Sequence, residues 1–184
     1  MSTGQINGVN TTHLLGARAA VGDAPEAGKF TWKTQNEWVH GTHSKSTVKG
    51  YFGLGEDHDH TDTFKFDSDH PLVFAAEDNA ATPVEIVLVG LASCLTAGVA
   101  AVAENREIKL RSVKASVEAD MDIAGILGAD PEVRNGFSDV RVNYQIEADD
   151  ASEADLEALV AQSQKVSAVF DIMTNPTNVT VNVS

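Results

Sequence analysis

The sequence predicts an α+β fold, an antiparallel sheet wrapped on a buried central helix, and three observations predict it. Between Ile86 and Ala103 there is no charged residue, and this run opens with Thr82-Pro83-Val84-Glu85, which has the form of a helix start. On both sides of it the chain alternates apolar and polar residues with a period of two, as antiparallel strands do. Near the end, Ser152-x-x-Asp155 opens a second, amphipathic helical run. Strands, an apolar helix, more strands and an amphipathic helix in that order make helices packed on an antiparallel sheet.

Taken in order, Met1 to Asn10 is polar and contains two glycines. Thr11-Thr12 is expected to cap a short helix through Val21, ended by Gly22-Asp23-Ala24-Pro25. Residues 1–25 are read as an N-terminal arm, and 26–184 as a single domain. Phe30 to Trp38 reads as a strand and Val39-His40-Gly41 as a turn. Thr42 to Phe52 then reads as a second strand that completes a hairpin. Glu56-Asp57-His58-Asp59-His60-Thr61-Asp62 is dense in potential metal ligands. A site needs ligands converging from several elements, so the run is read as a solvated loop and no metal is expected. Thr63 to Asp67 returns to alternation, with Phe64 and Phe66 on one face.

The central helix follows. A helix apolar all round has no solvent face and must be covered on every side. One sheet face cannot do that, so a two-fold homodimer is expected. The run is also long enough to cross a bilayer. Its richness in Ala and Gly, with Ser93 and Thr96 inside it, favours a core helix instead. So do the flanking Glu85 and Glu104, with no Lys/Arg cluster at either end. Ile108 to Asp120 is expected to be a long strand with a bulge near Ser112, where the alternation slips. Phe137 to Glu147 is a further strand, and Leu156, Leu159, Val160 and Ser163 follow at helical spacing in the second helix, to about Val166. Asp171-x-x-x-Asn175-Pro176 reads as a turn, and Val179-Thr180-Val181-Asn182-Val183 as a closing strand.

Composition narrows the function. Against 27 Asp+Glu the chain sets 13 Lys+Arg, a formal charge of -14, which repels phosphate backbones and anionic membranes. Nucleic acid is therefore not an expected partner. A single cysteine cannot form an internal disulfide, and no charged-then-apolar leader opens the chain; both fit a reducing cytoplasm. No phosphate loop, paired cysteine ligands or serine nucleophile elbow is present, and no cofactor is expected.

That leaves Cys94, in the middle of the apolar run. An unpaired cysteine there is either a small core filler or a nucleophilic thiol. It lies several turns inside its helix, beyond the reach of that helix's N-terminal field. A reactive thiolate would then need a cation from elsewhere, and His43, Lys45 and Arg106 are the candidates. Glu85 precedes Cys94 by nine residues, on the opposite helix face. It reaches the sulfur only indirectly, by orienting such a cation.

Thr82-Pro83-Val84-Glu85 leading into Leu88-Val89-Gly90-Leu91-Ala92-Ser93-Cys94-Leu95 resembles the central helix of OsmC-like proteins, relatives of the organic hydroperoxide resistance proteins. Trp38 to Thr47, Val133 to Val142, and Ser167 to Asp171 followed by Thr174-Asn175-Pro176 resemble that family in the same order. The resemblance implies an intertwined homodimer with sites at the subunit interface, and reduction of organic hydroperoxides by a cysteine on the central helix. It further implies an activating Arg–Glu pair and a second cysteine that resolves the oxidised first one. Cys94 falls at the peroxidatic position and Glu85 near the carboxylate. His43 and Lys45 lie in the hairpin that would supply the arginine, and Ser167 stands at the resolving position. Serine cannot form the disulfide, so the resemblance implies a one-cysteine cycle reset by an external thiol reductant. The alternative is a non-catalytic relative that binds a small apolar ligand at the dimer interface.

Overall fold

The computed structural model describes residues 4–183. They divide into two compact units, one of residues 10–87 and one of residues 4–9 with 88–183.

The unit of residues 10–87 begins with α1 (Thr11–Asp23). Its cap is Asn10 rather than the threonines: the Asn10 side chain accepts from the His13 amide at 2.9 Å. The expected first strand is interrupted, giving β1 (Thr31–Trp32) and β2 (Gln35–His40). Both pair antiparallel with β3 (His43–Gly53) along the same edge. The β2–β3 turn is at Gly41-Thr42, where Gly41 takes a φ of 55° that a side chain would strain. The other edge of β3 carries β4 (Glu56–Ser68).

β4 corrects one expectation. Glu56 to Asp62 is not a loop but the first half of a continuous strand, interrupted by an irregularity opposite Val48 to Gly50. An outer strand with wet faces needs a ladder partner more than an apolar stripe, and β3 supplies that ladder. Among the described residues no group of three or more His, Cys, Asp or Glu side chains is placed to hold a metal ion.

After β4, Asp69 is buried and gathers the connection to the next helix. Its carboxylate accepts from the Thr42 hydroxyl (2.5 Å), the His70 amide (2.8 Å) and the backbone and side-chain amides of Asn79 (3.0 and 2.8 Å). Its own amide donates to Ala81 at 3.3 Å. These bonds hold both ends of the segment before α2 (Pro83–Asn105), whose first residues belong to this unit.

In the other unit, α2 packs on the hairpin of β5 (Leu110–Asp120) and β6 (Asp139–Ala148) and on α3 (Glu153–Val166). Val99 and Ala103 of α2 and Leu159 of α3 are fully buried, with Ile108, Leu110, Val113 and Ile146 packed around them. The β5–β6 register shifts between Leu110 and Ser112, the bulge the sequence predicts. Ser152 and Asp155 form the reciprocal capping box at the start of α3. Residues 6 and 7 are pinned to the end of α2: Glu104 accepts the Ile6 amide (2.9 Å) and the Asn7 amide (2.5 Å). The Asn7 side chain bridges the Ile108 carbonyl and the Leu110 amide, both at 2.8 Å.

Two further expectations are corrected here. Ala168–Thr174 forms a short helix, α4, instead of a turn around Asp171. Val179 to Val183 is not a strand, and its valines are exposed, because alternation alone provides no ladder partner. Within the single chain α2 is covered in part: Leu91, Leu95, Val99, Ala103 and Glu104 are its buried residues, whereas Val87 and Val89 stand in solvent.

Candidate functional site

Cys94 sits on α2, four residues before Gly98, at the level where α3 gives way to α4. The close approach of the helices there has a local cause. Gly98 has no side chain, and Ser163 of α3 occupies the space. A Cβ on Gly98 would lie 2.2 Å from Ser163 Oγ and 3.2 Å from its Cα. The Ser163 hydroxyl donates to the Leu95 carbonyl at 2.6 Å. One turn later, α3 ends at Ser167, which caps α4.

This break brings α4 to the sulfur. Ser167 Oγ lies 3.1 Å from Cys94 Sγ and donates to it. The same oxygen accepts from the Phe170 amide at 3.2 Å. Ser167 is buried, and the sulfur is half-buried. Burial pushes the thiol pKa up; the Ser167 hydroxyl and then the backbone amides of Val169 and Ala168 outweigh it, holding the thiol below its ordinary value. A sulfur placed this way is a partly accessible thiol with an enhanced thiolate fraction, which is the reactive form.

The groups that lower it are a hydroxyl and two amides, rather than the cation that residue spacing calls for. Cys94 is out of reach of the N-terminus of its own helix, but lies against the N-terminus of another. The resemblance named Ser167 as the residue opposite Cys94; sequence reasoning missed that the first amides of α4 face the sulfur with it. The one signal for that helix start is Ser167 itself, a good cap residue followed in the first turn by Asp171.

The other candidates have partners of their own. Glu85 accepts from the Thr82 amide at 2.9 Å, the carboxylate half of a capping box, while the Thr82 hydroxyl pairs with the His70 ring at 3.0 Å. His43 lies 3.2 Å and Lys45 3.8 Å from the same Asp67 carboxylate oxygen. These residues belong to the unit of residues 10–87, and Cys94 to the other. Arg106 acts on Asp155, whose carboxyl is held below the usual range chiefly by hydrogen bonds from Ser152 and to a smaller extent by Arg106. An open groove of about 630 Å³ runs between β6 and α3, lined by Val142, Tyr144, Leu156, Val160 and others; Cys94 is not among its lining residues.

Comparison with known proteins agrees with this architecture. The family model described as OsmC-like protein matches residues 76–182. No curated protein shows significant sequence similarity to the chain. Among solved structures, an OsmC-like protein from Mycoplasma pneumoniae superposes with a TM-score of 0.57 at 12% identity, over 78% of this chain and 86% of that one. An organic hydroperoxide resistance protein OsmC from Legionella pneumophila gives 0.52 at 22% identity, over 78% and 90%. An OsmC-like protein of unknown function from Vibrio cholerae gives 0.54 at 10% identity, over 76% and 91%. At these identities the structures speak for the fold, and the family model for kinship. The chain, with its single cysteine on the central helix of that fold, belongs to the OsmC-like protein family.

Proposed function

We propose that this chain is a one-cysteine, thiol-dependent reductant of organic hydroperoxides, with Cys94 as its nucleophile. The observation that carries the reading is the half-buried sulfur held below its ordinary pKa by hydrogen bonds from Ser167 and the start of α4. Membership of a family that includes a protein named for organic hydroperoxide resistance supports the substrate class.

The Cys94 thiolate attacks the terminal oxygen of R–O–O–H and the O–O bond breaks. The sulfur is oxidised to a sulfenic acid, and the peroxide leaves as an alkoxide that takes up a proton to become the alcohol. Cys94 is the only cysteine, so no second protein thiol can close a disulfide within the chain. An external thiol therefore attacks the sulfenic sulfur, water leaves, and a mixed disulfide forms. A second external thiol then releases the Cys94 thiolate and departs as the oxidised disulfide. This cycle suits a reducing, cytoplasmic setting.

The same reading has the protein working as a homodimer. Val87 and Val89 on α2 are exposed in the single chain, and covering an apolar helix is what a second copy would do.

The test is turnover. Cumene hydroperoxide and dithiothreitol are mixed with the protein, and peroxide loss is followed. The wild type consumes peroxide above the uncatalysed rate, and Cys94→Ser falls to that background. Equal rates for the two would contradict the reading and favour a ligand-binding role.

A further inference from the structure

Ser167 occupies an unusual position for a helix cap. Its oxygen accepts one hydrogen bond, from the Phe170 amide at 3.2 Å, which is the ordinary work of a cap. A serine hydroxyl also carries one proton, and among the described residues the acceptor paired with it is Cys94 Sγ at 3.1 Å. The residue is 6% exposed, so water competes poorly for that proton. The cap bond therefore does two things. It starts α4, and it fixes the oxygen so that the hydroxyl proton points at the sulfur.

We infer that Ser167 is a positioning residue for Cys94: a preoriented hydroxyl, fixed by its cap bond, whose proton is aimed at the sulfur and favours the charged over the neutral form. The inference rests on the reading of Cys94 as the nucleophile, and extends it by assigning the device that prepares the nucleophile. Through this device the thiol pKa is drawn down by a hydroxyl and backbone amides of its own chain. A donor fixed by backbone structure is set before the substrate arrives, and it neither titrates nor leaves. A donor to sulfur also remains a donor to the oxidised sulfur, so the hydroxyl can steady the sulfenic acid until the external thiol reaches it.

The test separates the hydroxyl from the cap. The rate of alkylation of Cys94 by iodoacetamide is measured against pH in the wild type, Ser167→Gly and Ser167→Thr. Glycine is tolerated at a helix cap but has no hydroxyl, and threonine keeps both functions. Losing one hydrogen bond to a charged group should move the midpoint of the alkylation profile up by about one pH unit in Ser167→Gly. Ser167→Thr should return it towards the wild-type value. An unchanged midpoint in Ser167→Gly, with helix content intact by circular dichroism, overturns the inference.

Ser167→Cys gives an independent check of position. After one equivalent of cumene hydroperoxide, intact mass should show the loss of two hydrogens, from a disulfide to Cys94. A second thiol that stays reduced while Cys94 oxidises would contradict the placement. If the midpoint shifts as expected but Cys94 does not react with hydroperoxide, the positioning role stands and the catalytic reading fails.

Discussion

Asp69 shows how a single side chain organises a connection. Four donors converge on its carboxylate, led by the Thr42 hydroxyl, and they hold its pKa well below the usual carboxylate range despite its burial. Depressed in the folded chain and ordinary in the unfolded one, this group contributes stability that is fully present above the unfolded pKa of about 3.9. That stability is lost as pH falls from there towards the folded value. Asp69→Asn should therefore lower the Tm at pH 7, and the gap to wild type should narrow as pH drops from about 5 to about 2. A gap that stays constant would show that the charge is not what matters. Glu104 is a second case. It takes the amides of Ile6 and Asn7 at the end of α2, and Glu104→Ala should speed hydrogen exchange at those two amides at least tenfold, with the β5–β6 amides unchanged. Neither role could be read from the sequence, where both residues are one acid among many. Donors to a carboxylate are assembled by tertiary structure. The sulfur was half legible: Cys94 stands out as the lone thiol and the resemblance puts Ser167, 73 residues away, opposite it, but the α4 amides beside them depend on the chain breaking at Ser167.

Elements explain where reading the sequence succeeds and fails. The capping box of Ser152 and Asp155, the slipped phase near Ser112 and the apolar α2 run all follow from local rules, and the structure bears them out. The seven-residue α4 is too short to show a period, and its position against Cys94 depends on the break at Ser167. Val179 to Val183 has the right alternation for a strand, but a strand needs an edge to pair with. The seam between α2 and α3 is also invisible in sequence, since it depends on Gly98 facing Ser163. An alanine at Gly98 favours helix by about 1 kcal/mol. Its Cβ, however, would meet Ser163 backbone as well as side chain, and overpacking of this kind costs about 1–3 kcal/mol. Gly98→Ala should thus lower the urea midpoint and, by pushing α3 from α2, slow Cys94 alkylation. Leu159→Ala, which empties the centre of the core, should cost about 2–5 kcal/mol in the same titration.

For the whole molecule, family and fold class were legible from motif order and alternation, while cover for the central helix was not. The sequence states that α2 is apolar, and it does not state what lies against it. In the single chain α2 is the one helix, among the described residues, long and apolar enough by composition to span a bilayer, yet only part of it is buried. Its place as the central helix of the OsmC-like fold favours the core reading, and the proposed homodimer supplies the cover. Sedimentation equilibrium should then give twice the mass of 19.5 kDa, and Val89→Glu should shift it to the monomer. A wild-type monomer would leave the exposed valines without the partner assigned to them.

The most direct test of the account is the oxidation state of one sulfur. The pure protein is treated with one equivalent of cumene hydroperoxide in the presence of dimedone, and its intact mass is read. The account predicts a single sulfenic-acid adduct on Cys94, absent in Cys94→Ser and absent when excess thiol is added first. An unmodified mass with the hydroperoxide unconsumed would contradict it.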